Sequence, residues 1–158
     1  MDKVNLYVVT SAKSPAPQRM AGYFLIEHLK GGVPETKEGR LYRDRITEAD
    51  MTLQLLINSL YLLKNASVEY DTLSIYTKCP IIDSAFNQKW IDTWKSNDFK
   101  TQKGKDVSNK EHWQQLCEML DGLSHRYIFS IKNTSYFNIM TKWSNDYLRY
   151  HERLGIFE

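Results

Sequence analysis

The chain has 158 residues, of which 42% are hydrophobic, 25% charged and 13% aromatic, with 7 Gly and 4 Pro. That length suits one domain with a substantial core, and that composition excludes collagen-like, low-complexity and wholly disordered chains. The 21 Lys and Arg against 19 Asp and Glu give a net charge of +2, so bulk charge names no polyanionic partner and any electrostatic function rests on placement.

The opening Met1-Asp2-Lys3-Val4 does not read as an export signal, and the greasiest stretch, 53–63, is interrupted by Gln54, Asn58 and Ser59 and too short to span a bilayer. A cytoplasmic location is expected, with Cys79 and Cys117 as reduced, partly buried thiols. Residues 4–9 (VNLYVV) are β-branched and aromatic, the mark of a strand buried on both faces. Extended segments follow at 21–27 and 39–45, separated by Gly31-Gly32-Val33-Pro34, which suggests an antiparallel meander. Thr47 with Asp50 three residues on is a capping-box variant, and Leu53, Leu56, Ile57, Leu60 and Leu63 then keep helical spacing to about Asn65. Residues 71–77 read as a fourth strand, and a strand–helix–strand order favours a parallel pairing. One helix is expected over 82–94 and an exposed, Lys-rich loop over 99–108. A helix capped by Asn109 should follow, then a fifth strand over 125–132 and a last helix from about 136 to 154 that stops at Gly155. No linker or internal repeat divides residues 1–158, so one domain is expected.

Within this order, the runs Lys89-Trp90-Ile91-Asp92-Thr93-Trp94-Lys95, Phe99-Lys100-Thr101, Lys105-Asp106-Val107-Ser108-Asn109 and His112-Trp113-Gln114-Gln115-Leu116 space three tryptophans around a lysine-rich turn. On these runs the chain resembles bacterial type I ribonuclease H over nearly its whole length. Met51, Thr77 and Asp146-Tyr147-Leu148 fall in step with it. The resemblance implies an α/β fold: a five-stranded mixed sheet, three antiparallel strands and then parallel pairing, flanked by helices. It also implies hydrolysis of the RNA strand of an RNA–DNA hybrid by two magnesium ions held on converging acidic residues.

The acids themselves do not follow the family. Where its first aspartate stands in F-T-D-G-S, the matching run Tyr7-Val8-Val9-Thr10-Ser11 carries Val9. The glutamate of R-M-E-L becomes Thr52 in Asp50-Met51-Thr52-Leu53, and the aspartate of T-D-S becomes Lys78 in Thr77-Lys78-Cys79. Asp146 is the one acid the comparison retains, and Lys78 would pair with it if both entered one cleft. Valine donates nothing to a metal, threonine offers one neutral oxygen and lysine brings positive charge, so a metal-free, cofactor-free pseudoenzyme is expected. The alternative is an active magnesium-dependent ribonuclease H on a shifted set drawn from Glu48, Asp50, Asp71, Asp83 and Asp146. Helix and strand termini also account for the first four of those.

In the family a basic protrusion grips the nucleic-acid backbone. Here residues 89–110 hold six lysines against three aspartates, a local excess of +3. Lys89, Lys95, Lys100, Lys103 and Lys105 are the candidate phosphate contacts, and Trp90 and Trp94 the candidate stacking faces. A hydrated lysine loop beside core tryptophans is the competing account. The family's paired asparagines before the first helix are replaced by Glu48 and Ala49, and its mobile-loop histidine has no counterpart over 133–139, where Tyr136 falls. The expected partner is an RNA–DNA hybrid or other nucleic acid, or else a protein, and no membrane.

Overall fold

The structure, a computed structural model, describes residues 3–66, 68–122, 126–130 and 135–157. Its sheet has five strands in the order β3-β2-β1-β4-β5: β1 (Lys3–Thr10), β2 (Gln18–Lys30), β3 (Val33–Ile46), β4 (Thr72–Thr77) and β5 (Arg126–Ser130). β1 pairs antiparallel with β2 and parallel with β4, and β5 extends the parallel half. The central position of β1 explains its unbroken apolar run, because Val4, Leu6 and Val8 face one layer of helices and Tyr7 and Val9 the other.

α1 (Glu48–Asn65) starts where Thr47 Oγ1 accepts the Asp50 amide at 3.2 Å. It is buried along most of its length, and α4 (Lys110–Asp121) packs on it. Trp113 is the largest fully buried side chain and meets Trp94 edge-on at 5.1 Å and Phe86 at 6.0 Å. α5 (Ser135–Phe157) covers the opposite face, where Phe137 and Met140 close over Tyr7, Val9 and Leu25. Among the described residues no helix is long and apolar enough to cross a membrane.

Several elements differ from the sequence expectation. The helix expected over 82–94 is two helices, α2 (Pro80–Asn87) and α3 (Trp90–Ser96), because Lys89 adopts a left-handed backbone at φ 60° and turns the chain between them. The loop expected over 99–108 is a small hairpin: Lys100 bridges Asp106, the Thr101 amide donates to Lys105 O at 2.7 Å, and Val107 N donates to Phe99 O at 2.9 Å. Asn109 holds the N-cap position of α4 in a left-handed conformation, but its side chain makes no capping bond. β3 begins at Val33 rather than near residue 39, since its polar first half gains its strand partners from β2 rather than from a core. The turn between them is two residues, Gly31 and Gly32 at φ 60° and 84°, the conformation that a tight hairpin demands. α5 runs past Gly155, a residue that costs only about 1 kcal/mol within a helix. His125 and Asn133, at the ends of the fifth strand and the following loop, lie outside the described residues.

Candidate functional site

β1 and β4 are parallel neighbours, with Val8 opposite Thr77, so their carboxyl ends open on the same edge of the sheet. β1 is also the strand at which the sheet changes from antiparallel pairing with β2 to parallel pairing with β4, and open α/β sheets leave crevices outside the carboxyl ends of such strands. A cavity of about 250 Å³ lies there, lined by Val9 and Thr10 from β1, Glu48 and Thr52 from α1, Lys78 and Cys79 after β4, and Thr141 from α5. Three positions singled out from sequence, Val9, Thr52 and Lys78, therefore meet in one cleft.

Each wall has a local cause. Thr52 sits one turn into α1 and is 1% exposed, its hydroxyl returned to Glu48 O at 2.8 Å. Glu48, in the first turn, is half-buried, and its side chain hydrogen-bonds Cys79. Burial holds the Glu48 carboxyl above its ordinary range, while the Cys79 contact opposes that shift. Cys79, buried where α2 begins, has its thiol pushed up to about 11, chiefly by burial, and is un-ionised at neutral pH. The Cys79 amide in turn donates to Thr77 Oγ1 at 3.1 Å. Lys78 is exposed at the mouth, its ammonium 5.6 Å from the centre of the Phe137 ring on α5.

Asp146 is not in this cleft. It is exposed, ion-paired with Arg149 one turn on, and lines a different depression beside Tyr23 and Arg40. Lys78 and Asp146 do not share a cleft, so the condition for an ion pair between them is not met. Residues 141 and 146 of one helix are about 140° apart around the axis, so only one can face the cleft, and Thr141 does. Tyr136, expected where the family's loop histidine falls, is instead a packing residue. It donates its hydroxyl to the buried Glu27 at 2.5 Å and tilts against Tyr7 at 4.8 Å.

Thr10, Cys79 and Thr141 escaped the sequence reading because none is an acid, and Glu48 was explained by its helix terminus. Its spacing four residues before Thr52, which places both on one helix face, was the available signal. Of the other displaced acids, Asp50 Oδ1 lies 2.5 Å from His112 Nδ1 across α1 and α4, and Asp83 accepts from Asn87 at 2.7 Å. Neither they nor Asp71 line the cleft. A pair of hard divalent ions needs several anionic oxygens. The cleft presents one carboxyl, one protonated thiol, threonine hydroxyls and an ammonium, a donor set that does not fit two magnesium ions. Among the described residues no three His, Cys, Asp or Glu side chains gather to hold a metal ion.

The lysine-bearing segment forms a handle between α3 and α4. Its base is anchored by the buried Phe99 and Val107, and Lys100, Lys103 and Lys105 are exposed around its tip with no ion-pair partner among the described residues. Lys89 is likewise exposed at the turn before α3, with no ion-pair partner among the described residues. Lys95 is not free, since it meets both carboxylate oxygens of Asp121 at 2.8 and 2.9 Å. Trp94 is half-buried against Trp113, whereas Trp90, 39% exposed, keeps an accessible face.

No family model matches the chain. A ribonuclease H of Clostridium botulinum is 31% identical over 128 residues, 81% of this chain and 82% of the relative. One from Caldicellulosiruptor saccharolyticus is 32% identical over 109 residues, 69% of this chain and 68% of the relative. Among solved structures, the N-terminal RNase H domain from Mycobacterium tuberculosis superposes with a TM-score of 0.71 at 10% identity, covering 98% of this chain and 99% of that one. An RNase H1 crystallised in complex with an RNA/DNA hybrid superposes with a TM-score of 0.65 at 13% identity, covering 90% and 94%. The order of strands, the crevice at the ends of β1 and β4, and relatives matched over most of their length agree: the chain belongs to the ribonuclease H family, as a type I ribonuclease H-like protein.

Proposed function

We propose that this protein is a non-cleaving ribonuclease H-like module that binds an RNA–DNA hybrid, or a duplex of similar shape, through the handle between α3 and α4. The observation that carries the reading is the lining of the cleft. Val9, Thr52, Lys78 and Thr141 surround a single carboxyl, Glu48, where two-metal hydrolysis needs several. The handle supports the binding half of the reading, because Lys89, Lys100, Lys103 and Lys105 are exposed cations with no ion-pair partner among the described residues, the kind of group that meets phosphates. Such contacts hold the backbone without reading sequence. Trp90 adds an exposed ring beside them.

The test is incubation of the purified protein with a labelled hybrid in magnesium and in manganese, beside a Glu48→Gln variant and a binding titration. Binding without strand cleavage is the expected result. Metal-dependent cleavage that disappears in Glu48→Gln would overturn the reading and establish an active enzyme on a shifted carboxylate set. Absence of any nucleic-acid binding would remove the handle's proposed role.

A further inference from the structure

A second depression, of about 350 Å³, lies where α5 crosses the outer hairpin β2–β3, lined by Tyr23, Arg40, Trp143, Asp146, Tyr147 and Tyr150. Packing explains part of it: Tyr23 and Trp143, 5.6 Å apart, lean on the core beneath α5. Packing does not explain the remainder. Tyr150 is 55% exposed and lies nearly parallel to Tyr147, at 9°. The exposed Arg40 guanidinium is 4.1 Å from the centre of the Tyr147 ring, held otherwise by a long contact to the Tyr23 hydroxyl at 3.4 Å, and it has no carboxylate partner among the described residues. Asp146 is occupied by Arg149 and leaves Arg40 uncompensated.

One solvent-exposed ring, Tyr150, a guanidinium with no carboxylate partner among the described residues and a carboxylate on one wall form a chemical set suited to a nucleobase on its phosphate backbone. Every base has a face that stacks, the guanidinium meets the phosphate, and the carboxylate accepts from an exocyclic amino group. The depression and the cleft flank the same helix: Asp146 is five residues beyond Thr141, about 7.5 Å along the α5 axis and about 140° around it.

We propose that this depression binds unpaired bases of a single-stranded segment continuing from the duplex that the handle holds. The proposal rests on the nucleic-acid reading above and adds a second, stacking contact to it. It is tested by fluorescence anisotropy with a blunt hybrid, the same hybrid carrying a short oligoadenylate tail, and the oligoadenylate alone. Wild-type, Arg40→Gln and Tyr150→Ala proteins are compared, both positions being exposed, with thermal melts to verify folding. The tail should raise wild-type affinity about tenfold, and each substitution should remove most of that gain while leaving blunt-hybrid affinity unchanged. A tail that adds nothing to wild-type binding, or a gain that survives both substitutions, overturns the proposal and leaves the handle reading standing. Arg40-dependent binding of oligoadenylate without any binding of blunt hybrid supports the stacking site and overturns the handle reading. Adenosine monophosphate that competes with the tail as strongly as free oligoadenylate does assigns the site to a free nucleotide and overturns the strand.

Discussion

Replacing Lys100, Lys103 and Lys105 together by glutamine gives the sharpest measure of the handle. With Lys89 they are four exposed cations, unpaired among the described residues, and if each neutralises one phosphate the logarithm of affinity should fall with the logarithm of salt at a slope of about −3.6. Raising salt from about 50 to 200 mM then weakens the wild type by about 150-fold, and the triple variant, whose slope drops to about −0.9, by only about 3-fold. The substituted side chains make no ion pair among the described residues, so melting temperature should hold. Lys95→Gln is the internal control, because that ammonium is committed to Asp121 and should barely move the slope. Anisotropy of a labelled hybrid titrated at several KCl concentrations reads all three proteins. An unchanged slope in the triple variant, or a drop in Lys95→Gln as large as in the triple, would refute the assignment of binding to the handle tip.

Two further outcomes concern the fold around the cleft. Because burial raises the Glu48 carboxyl above its ordinary value near 4.5, the folded chain holds that proton more tightly than the unfolded chain and loses stability as pH rises through this window. Glu48→Gln should therefore melt higher than wild type at pH 7, with the difference vanishing in acid below the ordinary carboxylate range. A difference that grows toward acid would contradict the burial account. Gly39→Ala should destabilise by about 1–3 kcal/mol by urea denaturation, since an added Cβ would lie 2.4 Å from two carbons of the buried Phe24 ring. Phe24→Leu in the same chain should recover much of that loss, and failure to do so would point away from the clash.

The fold was legible where a physical signal is local and repeated. Thr47 announced the start of α1 and its leucine spacing carried it to Asn65, while the apolar run of β1 marked a strand covered on both sides. The break at Lys89 was not legible, because a lysine in a left-handed conformation has no compositional mark. The first half of β3 was hidden for a related reason: it is an edge segment held by backbone bonds to β2, with side chains in water. In the cleft, Val9, Thr52 and Lys78 could be placed because each follows a strand or helix of clear register. α5 has aromatic residues around its circumference, so its sequence singles out no one face, and the acid at 146 was more conspicuous than the threonine at 141 that occupies the wall.

The root of the handle sits on an unusual optical junction. Trp94 and Trp113 touch there, with Trp90 6.3 Å from Trp94 on the outer side, and the buried Phe99 and Val107 fix the hairpin to the same layer. Under the proposed binding, a protrusion set this firmly would meet a duplex already oriented, so little ordering entropy would be lost on docking and association should proceed without a slow rearrangement step. The same indole cluster makes the protein its own reporter. Under that binding, emission from the half-buried Trp94 and the outer Trp90 would respond to a base or phosphate arriving at the handle against the background of the sealed Trp113, and a Trp143→Phe protein would keep that response apart from the indole that lines the depression on α5.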